Sequence, residues 1–93
     1  MATLVVFKRL QNRNKIFIIN FMEQKFRERV ALNMRIERAR RNLTQEKLAE
    51  LSGISAKHIT KIEKAKVTPS SYLLYRIAKA LDVSIDTLTD REI

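Results

Sequence analysis

Lys57, His58, Thr60, Lys61 and Lys64 fall within eight residues of one another. Ammonium, imidazole and hydroxyl groups so placed are hydrogen-bond donors for phosphate oxygens and base edges. At 3.6 residues per turn, Ile59 and Ile62 face one way along a helix, and the basic set faces the other. The remaining chemistry of the chain is sparse. It has no Cys and one His, which leaves no ligand set for a metal. Thr44, Ser55, Ser70 and Ser84 lack the His–Asp arrangement that activates a nucleophile. No glycine-rich phosphate loop or paired-carboxylate site occurs. No enzyme activity, cofactor or metal is therefore expected.

A basic helix needs a rigid neighbour to hold it out. The segment from Leu43 to Glu63 contains two short apolar-periodic stretches around Ser52-Gly53-Ile54-Ser55. Gly53 has no Cβ and can take the positive φ that ends a helix. Ser55 can cap the helix that follows. Leu48, Ala49, Ile54, Ile59 and Ile62 supply one buried face for the pair. The unit presents a narrow cationic helix, and the DNA major groove is wide enough to admit one.

Further elements frame this pair. A helix is expected from about Glu23 to Arg41, with Phe26, Val30, Met34 and Arg38 at helical spacing. Asn42 tolerates the left-handed stop. Thr44 caps the second helix, Gln45–Ser52, with Lys47 where a capping box would want Glu or Gln. The third helix is placed at Ala56–Lys64, followed by a loop through Pro69. Ser70 caps a fourth helix, Ser71–Leu81, which buries Leu73 or Leu74 with Ile77, Ala78 and Leu81. Ser84 caps a final short helix with Ile85 and Leu88 inward, and Asp86 suits its positive end.

Charge is uneven. The net charge is +9, which favours an anionic partner. Residues 1–22 hold four basic residues and no acid; residues 23–93 hold fifteen basic and ten acidic. Arg35–Arg41 and Lys57–Lys66 are basic clusters, and the last twelve residues are net acidic. No apolar stretch reaches the ~20 residues that span a bilayer, and a cysteine-free chain fits a reducing cytoplasm. Residues 1–22 stand apart as an N-terminal extension to a domain at 23–93. Leu4–Phe7 and Ile16–Ile19 are β-branched and aromatic runs split by Gln11–Asn14, a pattern that reads as a β-hairpin. A disordered or loosely helical leader, a weak export signal and an over-called start, with Met22 beginning the domain, are the competing readings.

The residues from about Val30 to Leu88 resemble the lambda-repressor-like helix-turn-helix family, the Cro/C1 type of bacterial and phage regulators. The resemblance is carried by Leu43–Ala49, Gly53-Ile-Ser55, Ile59-Thr-Lys-Ile-Glu63, Pro69-Ser70 and Ile77–Leu88. It implies an all-α, five-helix domain that binds double-stranded DNA, usually as a homodimer on a palindromic operator. Position by position, it places Ala56, Lys57, Thr60 and Lys61 against base edges. It places Thr44, Gln45, Lys64, Lys66, Thr68 and Ser71 against the DNA backbone. His58 lies beside them, at a phosphate or the groove mouth. Arg38 and Glu63 match a structural ion pair tying the first helix to the end of the third. Ala56 departs from the longer polar residue of many relatives, and Asn42 and Asp82 replace glycines common at those turns. The plain alternative for Lys57 and Lys61 is a solvated surface.

The expected function is a cytoplasmic transcriptional repressor with no membrane role. Two rivals share the residues. One is an antitoxin that binds a toxin protein and represses its own operon. The other is a protein-interaction module that uses the fold without reading DNA.

Overall fold

The computed structural model describes residues 2–91, with side chains from Asn14 onward. Five helices and no strand occur among them: α1 (Ala2–Arg40), α2 (Gln45–Ser52), α3 (Ala56–Glu63), α4 (Ser71–Leu81) and α5 (Ile85–Thr89). The bounds expected for α2 and α4 are those observed. Those of α3 and of the end of α1 differ by one residue.

Side-chain caps explain why the boundaries were readable. Thr44, Ser55, Ser70 and Ser84 all have extended backbones and accept from the backbone N–H three residues on. Asn42 (φ 53°), Gly53 (φ 69°) and Asp82 (φ 56°) take the left-handed turns that follow α1, α2 and α4. Ala65 (φ 57°) does the same after α3, where its Cβ makes the conformation costly. Its neighbour Lys66 then donates its N–H to Lys61 O at 3.0 Å, closing the helix end.

The N-terminal extension corrects one expectation. No hairpin forms, because α1 runs unbroken for 39 residues from Ala2. The segment is instead continuous with the helix that follows, more regular than the disordered or loosely helical leader of the competing reading. No Gly or Pro precedes Gly53 to stop a helix. A lone two-stranded hairpin would also have no sheet or helix to pack on. Residues 14–22 are all exposed, whereas Phe26 packs against the core and Val30 and Met34 are fully buried. The molecule measures 60 × 24 × 19 Å, elongated by this helix. No helix among the described residues is long and apolar enough to cross a membrane.

Val30, Met34, Leu48, Ile59, Ile62, Ile77, Leu81 and Leu88 form the solvent-free centre of the core. Each of the five helices contributes to it. Of the two candidates on α4, Leu74 is buried and Leu73 only half-buried. Ile85 was expected inward but is 36 % exposed. A five-residue helix turns only one face to the core, and Leu88 occupies it.

Candidate nucleic-acid interface

The interface is built on the α2–α3 pair. Ile59 and Ile62 anchor α3 in the core at no more than 1 % exposure. Lys57, Lys61 and Lys64 consequently stand in solvent on the opposite side. The one acid of α3, Glu63, is turned inward at 2 % exposure, so the outer face is uniformly cationic.

The turn that sets the angle between the helices is pinned from α4. Arg76 donates Nε to Ser52 O at 3.0 Å and Nη2 to Gly53 O at 2.7 Å. The positive φ there calls for glycine, and a Cβ, 2.5 Å from Arg76 Nη2, would also push the guanidinium off Gly53 O.

A hydrogen-bonded chain fixes the face of α3. Arg38 grips Glu63 with two bonds of 3.0 Å and donates a third, at 2.9 Å, to Leu43 O. Glu63 Oε1 also accepts from Gln45 Nε2 at 3.0 Å, and Gln45 Oε1 accepts from the Thr60 hydroxyl at 2.9 Å. A charge-assisted fork of this kind is strong and directional. The single chain Arg38–Glu63–Gln45–Thr60 thus ties α1, α2 and α3 together, bringing the expected ion pair and two expected contact residues into one network.

The other expected site residues fall into three groups. Lys57 and Lys61 on α3, Lys64 and Lys66 just after it and Ser71 at the start of α4 are exposed, and Ala56 and His58 on α3 are half-buried. Thr44 is exposed at the start of α2, its hydroxyl used as a cap for Lys47 N. Thr60 and Thr68 have committed hydroxyls. Thr60 sits 2.9 Å from Gln45 Oε1 and 3.0 Å from Ala56 O, and one proton cannot serve both acceptors and a base as well. Thr68 accepts from Arg27 Nε at 2.6 Å and donates to Glu23 Oε1 at 2.8 Å. The loop after α3 is therefore strapped to α1 through Arg27 and Glu23, which also pair with each other at 2.9 Å.

Arg27 and Arg76 escaped the sequence reading. Glu23 and Arg27 at i,i+4 were a legible signal, since that spacing pairs opposite charges on a helix. Arg76 gave none: its acceptors are backbone carbonyls 23 and 24 residues away.

Comparison with known proteins agrees with this architecture. The model of the helix-turn-helix family HTH_3 matches residues 34–88. An uncharacterised HTH-type transcriptional regulator of Methanocaldococcus jannaschii is 47 % identical over 51 residues, 55 % of this chain and 77 % of that protein. Control protein C.SmaI of Serratia marcescens is 38 % identical over 74 residues, 80 % of this chain and 86 % of that protein. Among solved structures, the restriction-modification controller protein C.AhdI of Aeromonas hydrophila superposes with a TM-score of 0.65 at 27 % identity, covering 67 % of this chain and 94 % of that one.

Proposed function

This chain belongs to the helix-turn-helix family HTH_3 and is a DNA-binding transcriptional regulator, and we propose that it binds a short palindromic operator as a homodimer and represses by occupying it. The observation that carries the reading is the cationic outer face of α3, held rigid from behind by Arg38, Glu63, Gln45 and Thr60. Ala56, Lys57, Thr60 and Lys61 face the base edges. Thr60 offers its methyl group and the lone pairs of a hydroxyl whose proton is used within the protein, and Ala56 offers only a methyl contact, suited to thymine.

Thr44, Gln45, His58, Lys64, Lys66 and Ser71 meet the phosphates, with the backbone N–H groups at the start of α2. Thr68, exposed on the loop bonded to Arg27, belongs with them. The Asp82–Leu88 region supplies the dimer contact. It borders a groove of about 450 Å³ between α4 and α5, lined by Tyr75, Lys79, Asp82, Ile85 and Asp86. Twofold pairing then sets two α3 helices about 34 Å apart, one turn of B-DNA.

Selection of binding sites from random duplex DNA, followed by titration of two variants, tests the reading. Lys61→Ala relaxes preference at one operator position, by ~1–3 kcal/mol for a lysine on a guanine edge. Lys66→Ala weakens binding to all sequences alike and lowers the salt slope by about one unit. Equal effects of both changes on specific and random DNA would remove α3 as the reading element. Saturation at one chain per operator would remove the dimer.

The similarity to C.SmaI over most of the chain, together with the C.AhdI fold match, favours a narrower version. In it, the operator lies ahead of a restriction–modification gene pair. Selected sites absent from any such promoter in the host genome would exclude it.

A further inference from the structure

α1 places two charged residues next to each other that serve opposite neighbours. Arg38 holds α3 through Glu63. Glu37 faces the other way, to the segment that closes the chain. It is 3 % exposed and accepts from Arg41 Nη1 at 2.7 Å, Arg40 Nη1 at 3.1 Å and Arg91 Nη1 at 2.7 Å.

One turn earlier, Asn33 is fully buried and spends its whole amide on the same segment. Its Nδ2 donates to Leu88 O at 3.0 Å and to Arg91 O at 3.1 Å; its Oδ1 accepts from Arg91 Nε at 3.2 Å. Arg29 adds a bond to Thr89 O at 3.2 Å.

This polar frame is large for the element it holds. α5 has five residues and one buried apolar side chain, Leu88. A single anchor fixes where such a helix sits but not how it is rotated. The directional bonds from Asn33 to Leu88 O and from Arg29 to Thr89 O fix the rotation, and Asn33 and Glu37 hold Arg91 just beyond the helix end. Arg38 and Glu37 therefore link the pose of the recognition helix to that of α5 through one rigid helical turn.

We infer that Asn33, Glu37 and Arg91 are positioning residues that set the half-site spacing the regulator accepts. The inference rests on the dimer reading above, in which the Asp82–Leu88 region forms the contact. In that arrangement two paths in each copy set the distance between the α3 helices, α3–α1–α5 and α3–α2–α4–α5, and the polar frame belongs to the first. A loosened α5 lets the two copies rock, and one spacing no longer excludes its neighbours. None of the three residues needs to touch DNA.

The test uses the full chain and the selected operator, with the half-sites moved together or apart by one base pair. Wild-type protein prefers one spacing by roughly tenfold, as rigid half-site geometry demands. Arg91→Ala cuts that preference to about threefold or less, while base preference within a half-site, helix content and dimer mass in sedimentation are kept. Arg91→Lys keeps a charge for Glu37 but loses the Nε bond to Asn33 Oδ1, so it falls between. Ile62→Val, a core change away from the node, lowers affinity for every spacing equally.

Full spacing preference in Arg91→Ala overturns the inference and leaves the dimer reading standing. If Arg91→Ala fails to fold, full preference in Arg91→Lys overturns it instead. Wild-type protein that binds a single half-site as one chain overturns both.

Discussion

The two halves of α1 are one helix with opposite fates. Ile16, Phe17, Ile18, Ile19, Phe21 and Met22 are all more than half exposed. A few residues on, Val30, Ala31 and Met34 are at most 2 % exposed. Apolar content does not separate them, since the first stretch is the more apolar. Pattern does. From Ile16 to Met22 only Asn20 is polar, so apolar side chains point in every direction and no single face is defined. Phe26, Val30 and Met34 recur every four residues among charged neighbours, which makes a single stripe that α3 and α5 can cover.

The polar residues follow the same division. In the packed half, Arg27, Arg29, Asn33, Glu37 and Arg38 all reach partners more than 20 residues away. Burial thus depends on whether the polar positions leave one face clear and then stitch its edges.

The largest effect expected from this contrast is in the packed half. Met34→Ala removes a fully buried side chain at the junction of α1 with the core, at a cost of ~2–5 kcal/mol in denaturant unfolding. A cost below about 1 kcal/mol would mean that α1 is not an integral wall of the core.

Next comes the stitching. Glu63→Gln leaves Arg38 with its bond to Leu43 O but without its ionic partner, costing about 1–3 kcal/mol. Arg38 keeps 22 % side-chain exposure, so water relieves part of the loss. Unchanged thermal stability would show the pair to be wet and idle.

What could be read beforehand divides along the same physical line. Local signals were legible. The four hydroxyl caps, the Gly53 turn and the stripe through Val30 and Met34 depend only on near neighbours, and each was placed from residue type and spacing. The Arg38–Glu63 pair was reached through family resemblance, because 25 residues separate the partners.

Contacts that depend on how distant segments of the chain meet stayed hidden. Arg91 lies 54 residues from Glu37, and nothing in its surroundings marks it as more than a terminal basic residue. Thr68 was legible as a polar loop residue but not as the clasp to Arg27 and Glu23. The extension was misread as a hairpin because short β-branched runs suit either helix or strand when no tertiary partner decides. Ala65 offered no cue at all to its left-handed backbone.

The Glu37 node gives the packed half of α1 a pH signature. The Arg41 hydrogen bond, with Arg91 and Arg40 beside it, holds the Glu37 carboxyl below its ordinary value of 4.5 against the opposing effect of burial. A carboxylate with a depressed folded pKa adds stability that is fully present above the unfolded value. That stability is lost as pH falls through the folded value. The stability gap between wild type and Glu37→Gln is therefore flat near neutrality and narrows only below about pH 4.5. A gap that closes between pH 5 and 7 would mean the carboxyl is not held ionised by its arginines.

The smallest effect belongs to the exposed half, and it tests the comparison most directly. Phe17 is 72 % exposed, so Phe17→Ala has little burial to lose. Phenylalanine and alanine differ by only a few tenths of a kcal/mol in helix propensity. The change in unfolding free energy should lie within about 0.5 kcal/mol, the range of surface substitutions away from packed features. It should also be the same at dilute and concentrated protein. The second condition matters more than the first. A stretch apolar on every side is stable in water only at the cost of its hydration, and any copy that covered it would recover that cost in proportion to concentration. A loss above about 1 kcal/mol that grows with protein concentration would show that residues 16–22 are covered by another chain in solution. The contrast between the two halves of α1 would then belong to the single chain and not to the working assembly.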